Sequence, residues 1–393
     1  MQYKDEIETS GWFGFVKKVT ARFSSWRSIN IKIGVTGESG AGKSTFINSI
    51  RGLKADDPGA APVGLVECTM QARRYEFPHN QNVEIWDLPG FGTRRFNSKN
   101  DYLKRVHWNT FDAVLLLSSK RFTEHDSWLA CEIKKKNPEQ QLFFVRTHVN
   151  EDIRNFRQSR HKTTPTDIEF QLQTLREDSS KQLKEIGIED HTVFLIDSHK
   201  CNAFDYKKLV KKIVFKANIL KKESLILSLA GITDGVIDMK LGKLTKRIND
   251  IAKLAGMAGA CIDRKGSIYP AEVEIMFKEV SAYREQLGLD LRELKTVAEH
   301  LDENMDMLLK RNNLKSYEYG ASKEKFACFY RQYDRFQKTL WHSVPMAGMQ
   351  WKLAEYQTQC EITLKAFLDI CADDIRNLQK EISHTIKGSE PDL

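Results

Sequence analysis

The feature that most constrains the fold is the segment Gly37-Glu-Ser-Gly-Ala-Gly-Lys-Ser44, which matches Gly-x-x-x-x-Gly-Lys-Ser/Thr at every defined position. A short apolar run, residues 31–35, precedes it, and a helical pattern, residues 44–51, follows it. In this context the pattern is typical of a phosphate-binding loop between a strand and a helix. The glycines let the backbone curl, so that consecutive N–H groups point at phosphate oxygens beside the helix N-terminus. The segment therefore predicts a nucleotide-binding α/β domain.

Two side chains of this loop carry specific chemistry. Lys43 adds a full positive charge at the β- and γ-phosphates, which makes it a candidate catalytic residue, and the Ser44 hydroxyl is a candidate ligand of Mg²⁺. The predicted nucleotide-binding residues of the loop are Gly37, Glu38, Ser39, Gly40, Ala41, Gly42, Lys43, Ser44 and Thr45.

A second motif follows the apolar run at residues 83–86, where the chain continues as Asp87-Leu-Pro-Gly90. Asp87 at the end of a neighbouring strand is predicted to hold Mg²⁺, through a water molecule, and the Gly90 N–H is predicted to meet the γ-phosphate. Asp-x-x-Gly, rather than a simple acidic strand end, favours a GTPase over a general ATPase. A helix-capping role for Asp87 is the alternative, but the phosphate loop upstream favours the metal site.

The segment between these motifs, residues 57–69, is rich in Gly, Pro and Ala and has no strong periodicity. Such composition indicates a mobile switch loop. Thr69 is the candidate residue that completes the Mg²⁺ shell in the triphosphate state. The alternative is that Thr69 is an ordinary threonine at the start of a strand.

Hydrophobic periodicity divides the chain into regions. Apolar runs of four or five residues alternate with helical lengths, which predicts a mostly parallel sheet in an α/β domain. The predicted strands are residues 31–35, 83–86, 113–117, 142–145 and 193–196. Beyond about residue 222 only helical spacing remains, with a predicted helix start after Pro270 and a stop at Gly288. We therefore predict an N-terminal amphipathic helical segment (1–30), a phosphate-loop GTPase domain (31–222) and a C-terminal all-α domain (223–393).

The N-terminal segment carries an apolar stripe at helical spacing. Its members are Trp12, Phe15, Val19, Phe23 and Trp26. Such a face can lie in a membrane interface or dock against other helices of the same protein, and docking is the commoner fate.

Charge is unevenly distributed along the chain. There are 61 lysines and arginines against 53 aspartates and glutamates, a formal net charge of +8. Five of the bases lie in the acid-free residues 9–37 and seven in the acid-free residues 206–222. The basic charge thus forms two local patches, which argues against a nucleic-acid binder and is compatible with peripheral contact with an anionic membrane. The second patch has an alternative interpretation, a helix packed on the sheet with its lysines solvated.

Cysteine usage and the absence of targeting patterns favour a cytoplasmic protein. The seven cysteines are scattered without Cys-x-x-Cys spacing, which predicts neither a zinc site nor a disulfide framework. No apolar run approaches the length of a membrane span, and the N-terminus has no secretory pattern. We expect a cytoplasmic protein with peripheral association with intracellular membranes.

Several segments together resemble the immunity-related GTPases, the interferon-inducible family. They are residues 37–53, Trp86-Asp-Leu-Pro-Gly-Phe-Gly92, residues 144–154, Phe204-Asp-Tyr206 and residues 231–236. The resemblance covers nearly the whole chain, and Lys43 makes it similar to the branch with lysine in the phosphate loop. It implies a GTPase domain flanked by helices from both ends of the chain, GTP-dependent self-assembly, and action at vacuole membranes that enclose intracellular pathogens.

The guanine-recognition motif departs from that family. Thr-Lys-x-Asp is replaced by Thr147-His148-Val149-Asn150. An Asp carboxylate accepts from both guanine N1–H and N2–H, whereas Asn offers one acceptor, at a cost of about 1–3 kcal/mol. His148 can stack on the base, and Asp152 is a candidate substitute for the missing carboxylate. The backbone N–H groups of Ser198, His199 and Lys200 are candidates to bind guanine O6. We expect weakened guanine recognition.

Hydrolysis poses a separate question, because Phe91 occupies the place where small GTPases have a water-orienting Gln. The nearest carboxylates are Glu67 in the switch loop and Glu38 in the phosphate loop. The family resemblance favours Glu67, acting within a dimer that pairs two nucleotide sites. Slow hydrolysis by the monomer is expected.

Two functions from different classes remain open. The first is a self-assembling GTPase that converts GTP to GDP and phosphate with Mg²⁺ and acts on membranes. The second is a nucleotide-binding regulatory scaffold with little or no turnover, which the altered guanine motif favours. A metabolic phosphate-loop kinase is disfavoured, since the chain has no obvious lid for an acceptor substrate.

Overall fold

The computed structural model describes residues 25–64, 71–78, 80–90, 102, 106, 108–119, 122–188, 191–217, 219–229, 233–261, 269–301, 303–333 and 347–388. These residues fall into two compact units, Ser25–Val236 and a second that begins at Ile237. None of the described helices combines the length and the apolar character needed to cross a bilayer.

The first unit is built on a six-stranded sheet of order β2-β3-β1-β4-β5-β6. Its strands are β1 (Ile31–Gly37), β2 (Arg73–Phe77), β3 (Asn80–Asp87), β4 (Ala113–Ser118), β5 (Gln141–Arg146) and β6 (Val193–Leu195). All neighbouring pairs are parallel except β2 with β3, which is antiparallel. The predicted α/β fold with a mostly parallel sheet is therefore confirmed.

The five strands expected from apolar runs are all present, but β2 was not predicted. Its sequence, Arg-Arg-Tyr-Glu-Phe, buries only Tyr75 and Phe77. A strand with one solvent-exposed face alternates polar and apolar residues, and it lacks the continuous apolar run of a central strand. β4, by contrast, is buried at every position.

The described helices of this unit lie between and after its strands in the chain. They are α1 (Lys43–Arg51), α2 (Glu124–Lys136), α3 (Val149–Gln158), α4 (Pro165–Glu185), α5 (Tyr206–Lys216) and α6 (Ile219–Ser228), with short 3₁₀ helices at Ser25–Ser28 and Trp108–Thr110. α2 and α4 each begin with a complete capping box, Thr123 with Asp126 and Thr164 with Asp167. The two boxes satisfy backbone donors that would otherwise be unpaired at the helix start.

The first unit extends past residue 222, where the sequence placed the domain boundary. The side chain of Asn80, at the start of β3, donates to the hydroxyls of Ser224 and Ser228 on α6 at 3.2 and 3.1 Å. All three residues are buried. These contacts hold α6 against the sheet, and Val236 is the last residue of the unit.

The second unit contains the remaining described helices. α7 (Asp234–Cys261) leads into it from the end of the first unit, and it continues with α8 (Ala271–Gln286), α9 (Leu291–His300), α10 (Met305–Arg311), α11 (Lys315–Gly320), α12 (Lys323–Tyr333) and α13 (Ala347–Gly388). α8 begins directly after Pro270, and Gly288 has φ 72° just past its end, as the sequence indicated. The aromatic rings of Phe326, Phe329 and Phe367 pack together where α12 meets α13.

Two predictions concern the amphipathic segments. In α5, Leu209, Val210, Ile213 and Val214 are buried, as expected for a helix packed on the sheet. Of the N-terminal stripe only Trp26 is described, and it is buried in the first 3₁₀ helix. Trp12, Phe15, Val19 and Phe23 lie outside the described residues.

Candidate nucleotide site

The phosphate loop connects β1 to α1 at the carboxyl edge of the sheet, which is where ligands bind in open α/β sheets. Gly37, Gly40 and Gly42 have φ of 146°, 80° and 78°, a backbone region that residues with a Cβ rarely adopt. At Gly37 a Cβ would lie only 2.1 Å from the carbonyl oxygen of Leu117 on β4. This glycine is therefore required both by its dihedral angle and by the close approach of the neighbouring strand.

Lys43 lies at the first position of α1 and is only 8% exposed. Its Nζ donates to the carbonyl oxygens of Gly37 at 3.2 Å and Glu38 at 2.9 Å. The ammonium group thus closes the loop on itself and stands inside its curve. This is the placement expected of a charge that meets the terminal phosphates of a nucleotide.

Ser44 and Asp87 meet although they are far apart in sequence. The Ser44 hydroxyl donates to Asp87 Oδ2 at 3.0 Å. Asp87 pairs in register with Val35 across β1 and β3 and is 1% exposed. A hydroxyl and a carboxylate are hard oxygen donors, and Mg²⁺ is held in nucleotide sites by one or two such protein ligands together with phosphate oxygens. The residues present therefore fit Mg²⁺.

Gly90 lies close to the same loop. A Cβ there would stand 3.1 Å from Ser39 N and 3.4 Å from Lys43 Nζ. The Asp-x-x-Gly backbone thus borders the phosphate loop. Glu67 and Thr69, the switch-loop candidates for catalysis and metal binding, lie outside the described residues.

Tyr102 also contacts this part of the site. The sequence did not predict this contact, because Tyr102 stands alone in a stretch without periodicity. Its hydroxyl lies 2.8 Å from Thr36 Oγ1 on β1 and donates to the carbonyl oxygen of Pro89 at 3.1 Å. Burial raises the pKa of this phenol, so that it stays a neutral hydrogen-bonding group. Tyr102 therefore links the Asp-x-x-Gly loop to the strand that carries the phosphate loop.

Glu38 has a partner in the residue that caps the start of α2, which the sequence did not reveal. Thr123 Oγ1 lies 3.0 Å from Glu38 Oε1 and 3.0 Å from Asp126 Oδ2. Since a hydroxyl carries one hydrogen, it donates to one of these carboxylates at a time. Burial of Asp126, opposed by its hydrogen bonds with Thr123 and reinforced by the charge of Glu38, raises its pKa to about 6. Two carboxyl groups that share the Thr123 hydroxyl thus lie beside the phosphate loop.

The predicted base-recognition motif follows β5. Thr147 is buried, and its hydroxyl lies 2.9 Å from the carbonyl oxygen of Ala41 and 3.3 Å from that of Ser118. Its role in the structure is to tie this motif to the phosphate loop. His148 has φ 58°, and its Nε2 would lie 3.2 Å from a Cβ at Gly42. The imidazole ring therefore stands beside the phosphate loop.

The two candidate base acceptors differ in their surroundings. Asn150 lies half-buried in the first turn of α3. The Asp152 carboxylate accepts from Arg146 Nη2 at 2.8 Å, and this arginine is buried at the end of β5. Arg146 was missed from the sequence, where it is a single basic residue after an apolar run. This ion pair engages the carboxylate that was the candidate substitute for the family's Asp.

The loop with the candidate residues Ser198, His199 and Lys200 follows β6. It lies beside the base-recognition motif, since Val149 N donates to the carbonyl oxygen of Ile196 at 3.4 Å. Two of its three candidate amides are used within the loop. His199 N donates to Asp197 Oδ1 at 2.8 Å, and Lys200 N donates to the Asp197 carbonyl oxygen at 3.2 Å. The Ser198 amide remains the candidate for guanine O6.

Comparison with known proteins matches the chain to one family. The family model described as interferon-inducible GTPase matches residues 6–382. The chain belongs to the interferon-inducible GTPase family. As a member, it is a phosphate-loop enzyme that binds GTP and hydrolyses it to GDP and phosphate.

Curated relatives in this family span most of the chain. T-cell-specific guanine nucleotide triphosphate-binding protein 2 of Mus musculus is 33% identical over 306 residues, which are 78% of this chain and 71% of that protein. Interferon-gamma-inducible GTPase 10 of Mus musculus is 30% identical over 384 residues, 96% of this chain and 88% of that protein. Interferon-inducible GTPase 1 of Mus musculus is 32% identical over 281 residues, 71% of this chain and 66% of that protein.

Membership confirms the family resemblance and the GTPase activity predicted from the sequence. It also favours an interferon-inducible GTPase with turnover over a scaffold without it. The individual roles assigned to the site residues stay predictions.

Proposed function

We propose that this interferon-inducible GTPase uses Mg²⁺ for GTP hydrolysis, self-associates in the GTP state, and acts peripherally at intracellular membranes around pathogens in cell-autonomous immunity. The observation that carries the enzymatic part is the meeting of Lys43, Ser44 and Asp87 at one end of the sheet. Lys43 supplies a cation that binds phosphate, and Ser44 and Asp87 supply oxygen groups suited to holding Mg²⁺ directly or through water.

Within this proposal each residue has a defined role. Lys43 binds the β- and γ-phosphates, Ser44 and Thr69 ligate the metal, and Asp87 binds it through water. The Gly90 N–H is aimed at the γ-phosphate. Mg²⁺, when bound, neutralises charge that develops on the phosphate oxygens. The role of Gly90 is supported by its closeness to the loop, since a Cβ on Gly90 would stand 3.1 Å from Ser39 N and 3.4 Å from Lys43 Nζ.

Base recognition is proposed to rest on His148 and Asn150. The position of the His148 ring beside Gly42 supports stacking on a base that extends from the phosphate loop. Asn150 provides one acceptor and one NH₂ donor. An amide of this kind can donate to the C2 carbonyl of xanthine, which the carboxylate of an Asp cannot do. We therefore propose that discrimination between guanine and xanthine is weaker here than with Asp at this position.

The attacking water is proposed to be oriented by Glu67 from the switch loop within a dimer. The hydrogen bond between Thr123 and Glu38 supports this assignment, because it directs the Glu38 carboxylate to the start of α2. Hydrolysis that depends on pairing of two sites accounts for the absence of a water-orienting Gln after Gly90.

The test is phosphate release from GTP, ATP and XTP by purified protein with Mg²⁺, measured over a series of protein concentrations. We expect a specific rate that rises with protein concentration, turnover of GTP and XTP, and little turnover of ATP. Lys43→Ala should abolish turnover through loss of phosphate binding.

Two results would contradict the proposal. A specific rate that is independent of protein concentration would refute assembly-dependent hydrolysis. A near-zero rate at every concentration would leave the nucleotide-binding scaffold. Size-exclusion chromatography with GDP and with a non-hydrolysable GTP analogue checks self-association independently of turnover.

A further inference from the structure

The outward face of α5 carries an exposed aromatic residue among lysines. Phe215 is 70% exposed, although it lies next to the buried Val214. Lys222, at the following helix, places its Nζ 5.0 Å from the centre of the Phe215 ring. Lys212 lies three positions before Phe215, and residues three or four apart share a helix face, whereas the exposed Lys216 is the next residue in the chain.

The orientation of this face is set by the packing of the helix. The apolar side of α5 is buried and packs against β6; its side chains include Leu209, Val210, Ile213 and Val214. Rotating α5 to cover Phe215 would expose those side chains, each of which contributes roughly 1.5–3 kcal/mol when buried. Phe215 is therefore held outward by the fold.

Several lysines of this segment have carboxylate partners and several do not. Lys207 pairs with Asp234, Lys208 with Asp205, and Lys221 with Asp112. Among the residues that the structure describes, Lys212, Lys216 and Lys222 have no such ion pair. The three lysines around Phe215 thus present uncompensated positive charge.

A second exposed phenylalanine shows that exposure alone does not define such a site. Phe170 on α4 is 73% exposed, and a single exposed apolar side chain is ordinary on a protein surface. Its neighbours on the chain include Asp167 and Glu169, and no lysine or arginine stands within four positions of it. The combination of an outward ring with basic neighbours distinguishes Phe215.

We propose that Phe215, with Lys212, Lys216 and Lys222, forms a contact site for an anionic phospholipid surface. The ring enters the boundary between headgroups and acyl chains, and the ammonium groups meet lipid phosphates and carboxylates. This inference rests on the membrane part of the proposed function and locates it on α5. A protruding ring beside flexible lysine stems suits a soft interface, since the stems extend to bring their charges to the headgroups.

The test uses the full chain and co-sedimentation with vesicles of phosphatidylcholine, with and without phosphatidylserine. We expect binding to the phosphatidylserine vesicles that weakens with added salt, and weak binding to the neutral ones. Phe215→Ala should reduce the partition constant roughly ten- to a hundredfold, the loss that corresponds to one buried aromatic side chain. Charge reversal of Lys212 and Lys216 should reduce it further.

Phe170→Ala is the matched control, with the same side chain at nearly the same exposure. It should bind vesicles like the wild type, and GTP turnover of the Phe215→Ala variant should remain unchanged. Inorganic phosphate is added as a competitor to separate a lipid surface from free phosphate as the source of anionic charge. If the site binds a lipid surface, phosphate at concentrations that would occupy a simple phosphate site should release little protein from the vesicles. Two results would overturn the inference. One is an equal partition constant for the wild type and Phe215→Ala, and the other is release of the protein from vesicles because it binds added duplex DNA more tightly.

The outcome also separates this inference from the wider proposal. Reversal of Lys17, Lys18 and Arg22 in the N-terminal patch serves as a parallel variant. Binding that survives Phe215→Ala and disappears in the N-terminal variant would refute the α5 site and leave membrane action standing. Absence of binding to both vesicle types in the wild type would refute both.

Discussion

The buried carboxyl group of Asp126 should make the stability of the first unit depend on pH. Asp126 is 1% exposed, at the start of α2, and its pKa is raised to about 6 from an ordinary 3.8. Because the folded state holds this proton more firmly than the unfolded state, the group stabilises the fold at low pH. That stabilisation is lost as the pH rises through about 6.

The magnitude follows from the shift. A difference of about 2 pKa units corresponds to about 3 kcal/mol over the whole titration. From about pH 5 to about pH 8, roughly half of this, about 1.4 kcal/mol, is lost. Asp126→Asn keeps an acceptor for the Thr123 N–H and does not titrate. The free energy of unfolding of the wild type should therefore fall by about 1.4 kcal/mol relative to the variant over this range.

Native-state hydrogen exchange of the buried amides of β4 measures opening of this unit at each pH. Asp167→Asn is the control, because Asp167 forms the same capping box with Thr164 at the exposed start of α4. Hydrogen bonds from Thr164 lower the pKa of Asp167, so its contribution is constant above its ordinary pKa. Identical pH dependence of the wild type and Asp126→Asn would refute the reasoning.

Two further variants test the phosphate loop. Gly37→Ala should abolish nucleotide binding and lower the melting temperature, because its Cβ would lie 2.1 Å from the Leu117 carbonyl oxygen; nucleotide titration and calorimetry check this, and wild-type affinity would contradict it. Thr147→Val removes the hydroxyl that donates to the Ala41 carbonyl oxygen at 2.9 Å. The free energy of unfolding should fall by about 1–3 kcal/mol, and the affinity for a fluorescent nucleotide should fall roughly tenfold. An unchanged affinity would show that this contact does not hold the loop.

Local patterns in the chain were enough to predict the framework of the molecule. Short apolar runs revealed five of the six strands of the sheet, the four inner strands and the edge strand β6, since buried strand positions are apolar. The phosphate loop and Asp87 were recognisable because their chemistry demands particular residue types at fixed spacing. The edge strand β2 escaped prediction, because only Tyr75 and Phe77 turn inward.

The connections within the candidate site were set by tertiary structure. Thr147 meets Ala41 across 106 positions of sequence, and Thr123 meets Glu38 across 85. Contacts between such distant residues leave no periodic trace in a single chain. They arise because parallel strands bring their carboxyl ends to one edge of the sheet, where the following loops must share donors and acceptors.

The sequence by itself thus determined the sheet, the phosphate loop and the residue types that can bind a nucleotide and Mg²⁺. Only the tertiary structure decided how those residues are engaged. It paired Asp152 with Arg146, and it directed Phe215 outward among lysines. The physical reason is the same in both cases. A side chain's chemistry is local, whereas its partners and its exposure depend on which distant elements pack beside it.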